Sequence, residues 1–134
     1  MAITSHIDQA SGLVSLTVQG SVDGAMIKQA LQGIVEDPRF RRGADMLWDF
    51  SNASGLNPSG DAIQDLVRFV GSLKEKRGSG YHVALVTQGD LEYGFARMYE
   101  AYAESLPFSV KVFRQIDEAT QWLMSQSRTP KPGP

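Results

Sequence analysis

Apolar residues recur along the chain in two rhythms. In "GLVSLTVQGSV" Leu13, Val14, Leu16 and Val18 carry strand-type patterning, and Gly20 ends the run. The preceding "ITSHID" is a weaker strand, and polar residues 9–12 between them predict a hairpin. The period then changes. In "DGAMIKQALQGIVEDPRF" Met26, Ile27, Ala30, Leu31, Ile34 and Val35 fall on one helical stripe, with Asp23 as the cap and Pro38 as the stop. "ADMLWDF" is a short, nearly continuous apolar run, as expected of a strand buried on both faces. In "SGDAIQDLVRFVGSLKEK" Ala62, Ile63, Leu66, Val67, Val70 and Leu73 form a second helical stripe that Ser59 or Asp61 could cap.

"YHVALVT" is the next buried strand. "GDLEYGFARMYEAYAESLP" is helical, with Leu91, Phe95, Met98, Tyr102 and Leu106 on the face expected to meet the sheet. "FSVKVFR" is a strand, and "IDEATQWLMSQ" is a last helix with Asp117 as its candidate cap. The order β-β-α-β-α-β-α-β-α predicts an α/β fold: a mostly parallel mixed sheet of about five strands with four helices and right-handed crossovers. Residues 1–126 are expected to form one domain. Residues 127–134 fall in "SQSRTPKPGP", which reads as a disordered Pro-rich tail.

Composition narrows the function classes. The 134 residues include 42% hydrophobic and 21% charged side chains, ordinary for a globular domain. A net charge of −2 gives no footprint for nucleic acid or anionic membrane. No cysteine is present, so thiolate metal sites and a Cys nucleophile are excluded. No apolar run approaches a membrane span or a signal-peptide core, and a cytoplasmic location is the default expectation. The cations of "SLKEKRGSG" (Lys74, Lys76 and Arg77) fit a helix C-terminus, where they complement the dipole.

The segment between "MLWDF" and the second helix is the most unusual. As a connection of about ten residues it exceeds the common βα loop, and it lies at the sheet edge where such folds meet ligands. Asp49 ends the strand and is expected to accept backbone N–H groups. Ser51 forms a turn. Ser59 and Gly60 open the helix, where Ser59 caps it or, if phosphorylated, gains from the dipole against the opposing charge of Asp61. His6 and His82 lack metal-ligand spacing. No nucleophile elbow or phosphate-binding loop is present. In the third helix Tyr93, Arg97 and Tyr99 are expected to be partly exposed, and Gly94 would be explained by something packed closely against it.

The stretch "MLWDFSNASGLNPSGDAIQDL" resembles the STAS domain, the fold of bacterial anti-sigma-factor antagonists. Asp49, Phe50 and Ser51 match the family's strand-ending Asp-Leu-Ser, and Ser59-Gly60 match its helix-opening Ser-Gly. Asn57 and Pro58 stand where the family has Asp-Ser. The family's phosphorylated serine corresponds to Pro58, so a phospho-switch would fall to Ser59. "VEDPRFRRGADMLWDF", "YGFARMYEAYAE" and "KVFRQIDEATQWL" are closest to an uncharacterised bacterial branch, described as STAS-like and compared with the lipid-binding CRAL-TRIO domain.

The first expectation is a non-enzymatic binding or regulatory domain without cofactor. It would work through residues 51–60, including Asn57 and Ser59, through the start of the following helix, and through helix residues 93–99. An alternative, implied by the CRAL-TRIO comparison, is carriage of a small apolar or lipid-like ligand in a pocket of about 300 Å³ or more. The partner would thus be a protein or a small apolar ligand. A homodimer is compatible with the resemblance.

Overall fold

The computed structural model describes residues 3–54 and 58–127. Strands β1 (Ile3–Ile7) and β2 (Val14–Ser21) form the expected antiparallel hairpin, with Ile7 opposite Val14 and Ile3 opposite Val18. Strands β3 (Met46–Ser54), β4 (His82–Val86) and β5 (Ser109–Phe113) follow in parallel, so the sheet order is the sequence order. Each parallel step is bridged by a helix: α1 (Gly24–Glu36), α2 (Gly60–Ser72) and α4 (Asp90–Tyr102). Strands added always in one direction by right-handed crossovers place these three helices on one face. The last helix, α5 (Ile116–Ser127), covers the other face and packs on β4, β5 and β3.

Side-chain parity shows the two layers. Val14, Leu16 and Val18 of β2, Met46 and Trp48 of β3, and Val83 and Leu85 of β4 join the core beneath α1, α2 and α4. The intervening Leu47, Ala84 and Val86 meet Ala119 and Leu123 of α5. Central strands buried on both faces therefore read as unbroken apolar runs. On β2, by contrast, Ser15 and Thr17 occupy the alternate positions and are only partly buried.

Several expectations are corrected. The four long helices are joined by a one-turn helix, α3 (Lys74–Arg77), and a 3₁₀ turn over Ala103–Ser105. Asp117 lies within the first turn of α5, which begins at Ile116, and is not its cap. A Cβ added at Gly94 would meet nothing within 4 Å among the described residues, so none of these packs closely against that glycine. Helix α5 extends to Ser127, and residues 128–134 of the expected tail lie outside the described residues.

Leu16, 1% exposed, sits mid-strand in the larger core. Replacing it with alanine is expected to lower the unfolding free energy by about 3 kcal/mol. Alanine at exposed Gln19 should cost less than about 0.5 kcal/mol. Urea unfolding of the two variants checks the assignment of inner and outer faces.

Candidate functional site

The expected ten-residue connection is shorter, because β3 continues to Ser54. Asn52, Ala53 and Ser54 pair with Gln19, Gly20 and Ser21 of β2. Its pairing with β4 stops at Asp49–Val86, so these last residues have one strand neighbour instead of two. The register shifts by one residue between Thr17–Asp49 and Gln19–Asn52, a bulge on β3. At this bulge the Ser51 N–H donates to Asp49 Oδ1 at 2.9 Å. Asp49 thus accepts a backbone N–H, as expected, and Ser51 belongs to a strand instead of a turn. Ser59 caps α2: its exposed hydroxyl accepts the Ala62 N–H at 3.1 Å. Asn57 lies outside the described residues.

Beneath α1, α2 and α4 lies a partly open cavity of about 120 Å³ with mostly apolar walls. Gly24, Pro58, Thr87 and Glu92 line it near the C-terminal edge of the parallel strands, where α/β sheets commonly bind ligands. Trp48 and Tyr99 contribute aromatic walls. The volume is below the ~300 Å³ set for a lipid-like ligand and typical of drug-sized pockets. It is close to the ~150 Å³ engineered apolar cavity that takes benzene.

Arg77 also lines this cavity. It stands in the last turn of α3, as expected, but the side chain turns inward and is 2% exposed. Gly78 permits the turn: its φ of +83° is the left-handed region, and an added Cβ would lie 3.0 Å from the Arg42 side chain. The Arg77 guanidinium lies 4.4 Å from the Tyr81 ring centre and 5.7 Å from that of Phe108. Those rings stack on each other at 4.5 Å. Such cation–π contacts contribute about 0.5–2 kcal/mol each.

Hydrogen bonding is less complete. Nη2 donates to the Met46 thioether at 3.1 Å, a weak acceptor. Nε is buried with no acceptor among the described residues, and Thr87 Oγ1 on the same cavity is likewise unpartnered. Burial lowers the Arg77 pKa, opposed by the nearby Tyr81 and Tyr99, yet a guanidinium keeps its proton. Burial pushes the Tyr81 phenol up to about 12 and raises that of Tyr99 as well, so both are neutral hydroxyls at pH 7.

Helix α4 is rotated from its expected orientation. Leu91, Met98 and Tyr102 are exposed, whereas Tyr93, Ala96 and Tyr99 pack against the core. The helix carries apolar residues on two stripes, so periodicity alone does not select the inner one. Tyr99 faces the cavity, and Phe95 lines it too. Tyr93 is partly buried beneath the Arg114 guanidinium at 4.2 Å. Arg97 is exposed and paired with Glu100 at 3.1 Å. The candidate residues therefore divide among a strand bulge (Asp49, Ser51), a helix cap (Ser59), a surface ion pair (Arg97) and the cavity wall (Tyr99). Arg77 was missed because an arginine in a basic run gives no sign that its side chain is buried.

Two stability measurements follow. Ser59→Ala should cost about 1 kcal/mol in urea unfolding through loss of the cap. Arg77→Met should not lower the unfolding free energy, because removing an incompletely satisfied buried charge offsets the lost ring contacts.

Neither a protein-family model nor a curated protein matches the sequence. Among solved structures, the chain is similar to an uncharacterised protein of the DUF3478 family, with a SpoIIAA-like fold, from Shewanella loihica PV-4. The TM-score is 0.58 at 19% identity, covering 91% of this chain and 94% of that one. Together with the strand order, this match gives the chain the SpoIIAA-like, or STAS, fold.

Proposed function

We propose that this chain is a non-enzymatic binding domain that receives a small apolar molecule in the cavity beneath α1, α2 and α4. The apolar cavity itself carries this reading. It joins the two regions that the sequence pointed to: Pro58, from the segment before α2, and Tyr99, from α4, share its wall. Its volume favours an occupant near the size of benzene over a long lipid. Ser59 is an exposed hydroxyl that accepts the Ala62 N–H as the cap of α2, and a phosphate there would keep oxygen acceptors at that helix end while facing the charge of Asp61.

The two tryptophans supply a test. Trp48 lines the cavity, and Trp122 packs on the opposite face beside Phe113 and His82. In a Trp122→Phe variant, Trp48 is the sole reporter. Titration with hexanol, benzyl alcohol or hexanoate should give a saturable change in its fluorescence. Ala96→Leu, which adds bulk to the wall, should weaken that response while the fold persists by circular dichroism. No saturable response to any of the three probes would overturn the reading.

A further inference from the structure

We propose that the occupant of this cavity is a small amphipathic carboxylate whose anionic group is held by Arg77. The inference rests on the cavity being a binding site and names the chemistry that it selects. Three observations converge. Arg77 is 2% exposed and lines the cavity. Its Nε lacks an acceptor among the described residues, and Nη2 donates to the Met46 thioether, a weak acceptor. The guanidinium also lies over the faces of Tyr81 and Phe108, which stabilise its charge without supplying an anion.

The guanidinium is a planar fork matched to a carboxylate, and it strengthens such a bond where water is excluded. A single guanidinium also fits a monoanion. A phosphate dianion would leave a second charge uncompensated among apolar walls.

Direction follows from the charges that border the cavity. Glu92 lines it from the first turn of α4, after β4, and its carboxylate lies against Gly89. Arg77 precedes β4 in the chain, at the other end of that strand. An anion is therefore repelled at the Glu92 end and attracted at the Arg77 end, while the apolar body lies along Trp48 and Tyr99. Thr87 offers a neutral hydroxyl on the same wall.

Calorimetric titration of the full chain with hexanoate, hexanol and hexylammonium tests the assignment. Hexanoate should bind about tenfold to a hundredfold more tightly than hexanol, from hydrogen bonding to a buried charge. Hexylammonium should bind more weakly than either. Arg77→Met should lower hexanoate binding by a larger factor than hexanol binding and so remove the preference for hexanoate. Arg77→Lys, which keeps the charge but not the fork, should retain part of the preference. Equal binding of hexanoate and hexanol by the native chain overturns the carboxylate assignment and leaves the cavity reading intact. Failure of all three ligands to bind overturns both. A hexanoate preference that survives in Arg77→Met places the anion elsewhere and also overturns the assignment.

Discussion

The right-handed crossover constrains everything else in this molecule. Four strands, β2 to β5, are laid down side by side in sequence order, and each parallel step must return over the same face. Helices α1, α2 and α4 are thereby crowded onto one side, and α5 is left to cover the other. A single helix meets β3 to β5 on its side and leaves the polar alternate positions of β2 partly wet. On the crowded side, three helices of 13 residues each share one apolar sheet face without filling it. The space left between them is the cavity, so the proposed binding site is a product of the topology before any specific side chain is considered.

Arg77 then gives that space its chemistry. A charged group in an apolar interior is costly unless it is paired. Here, stacked aromatic faces and a thioether partly compensate it. The arrangement resembles a site preorganised for an anion, where part of the cost of burial is met in advance by the fold. The nearby phenols stay neutral, which leaves the guanidinium as the local charge.

Much of the fold was legible in the sequence because its elements repeat at clear periods. The apolar runs of β3 and β4 marked strands covered on both sides, and the stripes of α1 and α2 marked their inner faces. The end of β3 was hidden. Ser51, Asn52 and Ser54 are polar because β4 stops beside Asp49, leaving that segment one strand neighbour and more water. The orientation of α4 was hidden by its second apolar stripe, so that Leu91 and Met98 were placed inward when Ala96 and Tyr99 hold that position. At the site, Asp49 and Ser59 behaved as local chemistry required, since both act on backbone groups two or three residues away. The burial of Arg77 depends on Met46 and Phe108, each 31 positions distant, and no local pattern encodes that meeting.

The most direct measurement is the side-chain Nε–H resonance of Arg77, followed by nuclear magnetic resonance as hexanoate is added. Capture of the carboxylate by the guanidinium predicts a saturable downfield shift of that proton, together with shifts of Trp48 and Tyr99. An Nε–H resonance that stays in place while the cavity residues shift would contradict the role of Arg77. Undisturbed cavity residues would contradict the site itself.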